Sequence, residues 1–235
     1  MVEVNSRKAY SYGIATVLLW STVASAFKIS LRYLDYAQLL LYASAVSTIV
    51  LGVVVLIQGK VHLLWRIGRR VWGRSLLLGL CNPLAYYLVL LSAYERLPAQ
   101  EAQPLNYTWA LTLALLSVPL LKQRLRWQDG VGGIVCYAGV LVISTQGNVF
   151  ALQFTDSKGV VLALGSTVLW ALYWIFNTRE SGDPAVRLFL NFALSLPFVG
   201  LYCAWYSSLW PVRLEGLIGA GYIGVFEMGV AFVLW

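Results

Sequence analysis

The sequence is poor in charge, in histidine and in cysteine, and each shortage excludes a class of protein. Charged residues make up 11% of the 235 residues, against roughly a quarter in soluble domains, so water is a poor solvent for this chain. There is one histidine, His62, and the three cysteines, Cys81, Cys136 and Cys203, lack metal-ligand spacing. We therefore predict no disulfide framework, no metal site and no cofactor.

The sequence also lacks the short motifs of soluble enzymes. It contains no glycine-rich phosphate loop, no HExxH and no GxSxG. An enzyme embedded in a membrane would need paired catalytic groups at one depth, and Glu227 has no acidic partner among the predicted spans. The sequence therefore predicts no catalytic residue and no enzyme.

Long apolar runs recur along the whole chain. Apolar residues make up 60% of the sequence, and the mean hydropathy is +0.73. A helix needs about 20 apolar residues to cross a hydrocarbon core of ~30 Å, whereas barrel strands alternate in polarity. We predict an all-α integral membrane protein. Its eight transmembrane helices are expected near residues 10–31, 38–57, 75–93, 103–121, 130–147, 159–177, 188–206 and 216–235.

The distribution of basic residues predicts the orientation of the chain. If the N-terminus is cytoplasmic, twelve of the seventeen lysines and arginines lie on the inner side. These twelve are Arg7, Lys8, Lys60, Arg66, Arg69, Arg70, Arg74, Lys122, Arg124, Arg126, Arg179 and Arg187. The positive-inside rule thus predicts a multi-pass protein of a plasma membrane, the bacterial inner membrane, with its N-terminus in the cytoplasm. It also accounts for the net charge of +7 without a nucleic-acid partner.

An internal repeat is the most informative feature of the sequence. Gly13 aligns with Gly159 at an offset of 146, and Gly79 aligns with Gly221 at an offset of 142. Between them, at an offset of 148, five residues of the second predicted span fall on like residues of the seventh. They are Ala37, Leu40, Ala45, Ser47 and Gly52, which fall on Ala185, Leu188, Ala193, Ser195 and Gly200.

The repeat predicts two units, residues 1–147 and 159–235, the second truncated after its third helix. Five spans is an odd number, so corresponding helices would cross the membrane in opposite directions. Inverted repeats of this kind recur in secondary transporters, where the two halves surround a site near the midplane and expose it alternately. The pattern therefore favours a transporter.

Four features carry a resemblance to a known family: Trp20, the stretch from Ala93 to Leu125, the small-residue run from Gly132 to Ile143, and "FEMGVAFVLW" from Phe226 to Trp235. On these the sequence resembles the drug/metabolite transporter superfamily, in particular its EamA-type members. The resemblance implies ten helices in two inverted five-helix repeats, cytoplasmic termini and a central cavity for a small solute. The chain is then expected to hold eight of ten helices. It departs from the family pattern at Gln123, where a glutamate is usual, and at Ala110, where a proline is frequent.

Glu227 is the clearest candidate among the polar residues inside the spans. An ionisable group in the hydrocarbon region costs ~2.5–3.5 kcal/mol on insertion scales and tends to be kept for a role. Glu227 could carry a proton or bind a substrate cation, or it could be a protonated carboxyl bonded to a neighbouring helix. Ser25 lies on one face of the first span with Ser21 and Lys28, where packing is an alternative to a cavity role.

The other cavity candidates are polar and aromatic residues of the third, fourth, sixth and seventh spans. Pro83 removes a helix hydrogen bond and predicts a kink that frees backbone carbonyls. The remaining pairs share a helix face and could line a cavity or pack against a neighbouring helix. The set is Asn82, Pro83, Tyr86, Asn106, Trp109, Trp170, Tyr173, Asn191 and Ser195.

These observations predict a membrane transporter that exports small metabolites such as amino acids by alternating access. Its partners would be a small-molecule solute and the lipid bilayer, with a homodimer left open. The aromatic residues would also suit an organic cation. The alternatives are a structural or assembly protein, a non-functional fragment, an intramembrane enzyme or a channel.

Overall fold

The computed structural model describes residues 6–150, 155–210 and 212–234. They contain eight helices that are long and apolar enough to cross a membrane, and no strand. Spans 1 to 8 are Tyr10–Ser30, Tyr36–Ile57, Arg69–Arg96, Ala99–Leu121, Trp127–Ser144, Ser157–Thr178, Pro184–Tyr206 and Leu214–Leu234. The predicted all-α membrane protein is confirmed, and every predicted span is matched within a few residues. Trp235, the last residue of the predicted eighth span, lies outside the described residues.

Four of the spans are composed of more than one helical segment. Span 1 joins Ser6–Ser21 to Val23–Ser30, and span 4 joins Ala99–Tyr107 to Trp109–Leu121. In span 3 the interruption is a kink at Asn82, and the span comprises Arg69–Gly79, the kinked segment Leu80–Ala85 and Tyr86–Arg96. In span 8 the interruption is a π-helical segment, Ile223–Val230, between Leu214–Tyr222 and Ala231–Leu234. A short helix, Val61–Leu64, follows span 2.

Aspartates define where spans 2 and 7 begin. The Asp35 carboxylate accepts from the backbone N–H groups of Ala37 and Gln38, both at 2.9 Å, which satisfies donors that a helix N-terminus leaves open. Asp183 does the same ahead of span 7, at 3.0 Å from Ala185 N and 3.2 Å from Val186 N. Each helix therefore begins at a residue whose side chain caps it.

The chain divides into two compact units, and the first comprises Met1–Gly79 and Gly182–Trp235. In it, spans 2 and 7 pack against each other in antiparallel directions. Tyr42 near the start of span 2 donates to Leu209 O, beyond the end of span 7, at 2.7 Å. Lys60, beyond the end of span 2, pairs with Asp183 at the start of span 7, at 2.6 Å. Fully buried residues such as Phe27, Leu39, Leu40, Leu51 and Phe192 form the core of this unit.

Two glycines bring the broken spans close to spans 2 and 7. A side chain at Gly79 in span 3 would overlap the Asn191 carbonyl oxygen of span 7. A side chain at Gly224 in span 8 would meet the Ala43 carbonyl oxygen of span 2 at 2.5 Å. Since only glycine permits these approaches, the two contacts fix the depth at which the helices cross.

The second unit, Leu80–Ser181, contains the rest of span 3 and spans 4, 5 and 6. Span 6 packs on spans 3 and 4, around buried Tyr87, Leu91, Leu105, Tyr173 and Ile175. Span 5 behaves differently, because Ser144 is the only buried residue of Trp127–Ser144. An apolar helix with an exposed surface of this kind suits contact with lipid or with another helix.

Candidate functional site

The kink predicted at Pro83 is present and breaks span 3. Asn82 has non-helical dihedral angles, φ −147° and ψ 117°, and the Asn82–Pro83 peptide bond is cis. Both residues are buried, and Asn82 is 0% exposed. Neither its amide nitrogen nor its amide oxygen has a hydrogen-bond partner among the described residues. Because an unpaired buried amide costs free energy, Asn82 is a candidate to bind a polar group of a ligand.

Four residues beyond Asn82, a hydrogen-bond network joins spans 3, 4 and 6. The Asn106 side-chain nitrogen lies 3.0 Å from Ser166 Oγ and 3.4 Å from the Tyr86 hydroxyl. Ser166 directs its own hydroxyl proton to Ala163 O at 2.6 Å, so it accepts from Asn106. Asn106 is 6% exposed and Ser166 is fully buried. The predicted residues Tyr86 and Asn106 therefore meet, through a serine that the sequence did not single out.

Aromatic rings gather around Trp170 of span 6, and the Tyr86 side chain links them to this network. Its ring centroid lies 4.6 Å from that of Tyr86, 6.2 Å from that of Trp109 and 6.3 Å from that of Tyr173. Trp174 adds a fifth ring at 5.8 Å. Trp170 is 3% exposed. Five of the predicted cavity residues, Tyr86, Asn106, Trp109, Trp170 and Tyr173, thus form one polar and aromatic cluster, here named the Trp170 cluster.

The Trp170 cluster has the chemical character of a site for an aromatic or cationic organic molecule. Ring faces and edges stack on aromatic rings and attract cations. A few convergent amide and hydroxyl groups among apolar walls are the usual composition of a small-molecule site. A second polar pair continues the cluster toward the other end of span 4, where Thr112 and Thr167 hydroxyls lie 2.9 Å apart.

The remaining predicted residues lie in the first unit, and two of them take part in helix packing. The Asn191 amide nitrogen faces two backbone carbonyls. It donates to Ser75 O at 3.2 Å, which joins span 7 to span 3, and to Arg187 O of its own helix at 3.1 Å. Ser195 is fully buried, and its hydroxyl donates to Phe192 O of its own helix at 3.1 Å. Ser25 is exposed.

Glu227 is buried in the π-helical segment of span 8, at 6% exposure. Its neighbour Met228 offers its backbone carbonyl to Ser47 of span 2 at 2.8 Å. A π-helical turn displaces the i→i−4 bonding and is frequent at functional sites. The sequence predicted the depth of Glu227 but not this local winding, which no simple residue pattern signals.

A separate groove of about 550 Å³ opens between spans 4 and 5 in the second unit. None of the predicted cavity residues lines it. Its walls are mostly apolar and comprise Gln100, Gln103, Pro104, Tyr107, Thr108, Ala110, Leu111, Cys136, Gly139, Val140 and Ile143.

Eight apolar membrane-spanning helices define a multi-pass membrane protein, and interior amides and aromatic rings are what a carrier of small solutes requires. Comparison with known families agrees, because the profile of the EamA-like transporter family matches residues 7–145. The chain belongs to this family, within the drug/metabolite transporter superfamily.

Relatives from bacteria and archaea include proteins that are named as an exporter or a transporter. The aromatic amino acid exporter YddG of Ancylobacter novellus is 27% identical over 160 residues, which cover 67% of this chain and 55% of that protein. An uncharacterized transporter of Archaeoglobus fulgidus is 23% identical over 222 residues, 94% of this chain and 76% of that protein. The inner membrane protein YtfF of Escherichia coli K12 is 30% identical over 129 residues, 52% of this chain and 40% of that protein. The chain thus spans little more than half the length of the exporter.

A crystal structure of similar fold matches 97% of this chain and 77% of its own chain, with a TM-score of 0.71 at 24% sequence identity. This likeness concerns the fold alone.

Proposed function

We propose that this transporter exports amino acids, aromatic ones above all, by alternating access. The observation that carries the proposal is the Trp170 cluster of the second unit, in which four aromatic rings lie around Trp170 and one of them, Tyr86, contacts the Asn106 amide. The name of the exporter from Ancylobacter novellus, with which the chain shares 27% identity, supports the same substrate class.

The two chemical parts of the site suit the two parts of such a substrate. A substrate ring can stack on Trp170 and Trp109, since offset and edge-to-face pairs are worth ~0.5–1.5 kcal/mol beyond area burial. The unpaired Asn82 amide can bond to the substrate's amino or carboxylate group and so gain the hydrogen bonds that it lacks. Because Trp170 is 3% exposed, a substrate reaches its ring only when the spans part. This requirement fits alternating access.

The inverted-repeat arrangement, residues 1–147 and 159–235, is part of the proposal, and three features of the first unit support it. Asp35 and Asp183, which cap spans 2 and 7, are separated by the offset of 148 that aligns these spans in the sequence. The two capped helices run antiparallel. The carbonyls that Gly79 and Gly224 approach belong to Asn191 and Ala43, which the same offset of 148 relates.

These contacts favour a different register for the proposed repeat. Each broken span packs its glycine on the second span of the other predicted repeat. We therefore propose that Gly79 corresponds to Gly224, whereas the sequence alignment paired it with Gly221. In this register, the kinked segment Leu80–Ala85 and the π-helical segment Ile223–Val230 would be equivalent interruptions.

Glu227 is proposed to carry the coupling proton, because it is a buried acid in the locally rewound part of span 8. Replacement by Gln keeps the shape and removes the exchangeable charge. A Glu227→Gln variant should lose the dependence of transport on a pH gradient and keep exchange of labelled for unlabelled substrate. Transport that responds to pH alike in variant and parent would refute the coupling role.

The test of the proposed substrate class is binding and efflux with the chain in proteoliposomes. We expect the protein to bind tryptophan or phenylalanine in preference to alanine, and to release the preloaded amino acid. Trp170→Leu removes the ring and should weaken binding about two- to thirteenfold, as expected for loss of an aromatic pair worth ~0.5–1.5 kcal/mol. Trp65→Leu is the matched control, since Trp65 is 88% exposed and outside the spans.

An organic cation is the second candidate substrate, favoured by the same ring faces. Competition distinguishes the two. Displacement of labelled tryptophan by phenylalanine and not by tetraphenylphosphonium supports the amino-acid class, and the reverse result replaces it. Equal binding by the parent and Trp170→Leu would exclude the Trp170 cluster from the binding site.

A further inference from the structure

A second buried acid, Glu101, lies at the start of span 4, away from the Trp170 cluster's rings. The residue is 3% exposed although it occupies the first turn of its helix. Its Oε1 accepts from Thr155 Oγ1 at 2.7 Å and from the Gln146 side-chain nitrogen at 3.0 Å. Its Oε2 is buried and has no hydrogen-bond partner in the described part of the chain.

No cation of the protein balances this carboxylate among the described residues. Arg96, at the end of span 3, pairs instead with Asp156, whose carboxylate lies 3.3 Å from the guanidinium. The N–H of Gly159 and the Arg96 guanidinium hold the pKa of the Asp156 carboxyl below its usual range, against the effect of desolvation. A buried carboxylate without a cationic partner is costly, so the geometry at Glu101 calls for a positive ligand.

We propose that Glu101, Gln146 and Thr155 form a binding site for a small monovalent metal cation, with sodium as the expected ion. One carboxylate with neutral oxygens matches a single positive charge. The Gln146 amide can turn its oxygen toward the ion, and the Thr155 hydroxyl can offer its lone pairs. The side chains stand 2.7–3.4 Å apart, close to the separation of neighbouring oxygens around an ion held at about 2.4 Å.

The site would connect the ends of three spans. Glu101 lies in the first turn of span 4, Gln146 follows the end of span 5, and Thr155 precedes the start of span 6. Gln146 and Thr155 are exposed, so an ion can enter from the water on their side. Gln146 has a left-handed backbone, φ 51°, which is uncommon for a residue other than glycine.

The test measures thermal unfolding of the whole chain in detergent, with sodium chloride exchanged for choline chloride at constant ionic strength. Amino acids are absent, so the result does not depend on the proposed substrate. Sodium should raise the melting temperature of the parent by several degrees, because an ion that binds only the folded state stabilises it by mass action. Glu101→Gln should abolish the shift. No sodium shift in the parent, or an equal shift in Glu101→Gln, would overturn the site.

A matched control is Glu215→Gln, which makes the same change in the first turn of another helix, at an exposed acid. It should keep the full shift. If Glu101→Gln does not fold, the Thr155→Val variant tests the site instead. This variant keeps the Glu101 carboxylate and removes one oxygen ligand. Its sodium affinity should fall about tenfold, and an unchanged affinity would contradict the proposal.

Discussion

At the scale of single residues, the sequence predicted which polar and aromatic side chains lie inside the protein better than it predicted which residues they contact. Asn106 and Tyr86 meet as interior polar groups, and Trp170 and Tyr173 share a face as their spacing indicated. The sequence analysis missed Ser166 and Glu101. A serine within an apolar helix is common, and so is an acidic residue just before a predicted span, so neither residue stood out. Only tertiary contacts reveal that the first accepts from Asn106 and that the second is buried.

The close approach at Gly79 gives a prediction about stability. Gly79→Ala would place a methyl group against the Asn191 carbonyl and Ser195, and overpacking of this kind costs ~1–3 kcal/mol. We expect the variant to unfold at a lower denaturant concentration in mixed micelles. Gly139→Ala is the control, because nothing lies within 4 Å of a side chain there, and it should be neutral or slightly stabilising. Equal effects of the two changes would exclude the contact.

The ion pair of Asp183 and Lys60 gives a prediction about pH. Burial alone would raise the pKa of the Asp183 carboxyl, but the hydrogen bond from Lys60 and the N–H groups of Val186 and Ala185 lower it below its ordinary value. A carboxyl whose folded pKa is depressed stabilises the fold above its unfolded pKa, near 3.9, and loses that contribution as pH falls through the folded pKa.

Asp183→Asn retains a good helix cap and removes the charge. The variant should therefore lose at most about 1 kcal/mol at neutral pH and show a flatter stability profile below pH ~4. Lys60→Gln should flatten the profile in the same way, since it removes the cation. Unfolding followed from neutral to acid pH measures both. A parent-like slope in either variant would count against the pair.

At the scale of helices, length and position were predictable and internal interruptions were only partly so. Pro83 signals its break, because proline cannot donate a helix hydrogen bond. Pro197, in contrast, lies inside the continuous helix Pro184–Tyr206, so a proline alone does not fix an interruption. The π-helical segment Ile223–Val230 contains no proline, so this rule could not have predicted it.

The bond between Thr112 and Thr167 joins spans 4 and 6 and permits a quantitative test. Thr167 directs its proton to Leu164 O at 2.6 Å, so Thr112 is the donor across the helices. A double-mutant cycle with Thr112→Val and Thr167→Val should give a coupling near 0.6 kcal/mol, the average for such bonds in membranes. Strictly additive losses on unfolding in mixed micelles would show that the hydroxyls do not interact.

At the scale of the whole molecule, hydropathy predicted the membrane class because the bilayer imposes one length on every span. The weak repeat predicted opposite directions for spans 2 and 7 but not that they pack against each other. That pairing is seen only in contacts such as that of Lys60 with Asp183. The Trp170 cluster was foreseen only in part. Residues from three spans converge there, and their separation along the chain carries no signal in one sequence.

The orientation of the chain in the membrane gives the last prediction. The bias of lysine and arginine toward one side predicts a cytoplasmic N-terminus, with the loop after span 2 inside and the loop after span 5 outside. In a chain whose three cysteines are replaced by serine, Trp65→Cys and Phe150→Cys provide single labels at positions 88% and 99% exposed. A membrane-impermeant maleimide applied to intact cells should label Phe150→Cys and leave Trp65→Cys unlabelled until the membrane is opened. The inverse pattern would reverse the orientation, and the Glu101 site would then face the cytoplasm.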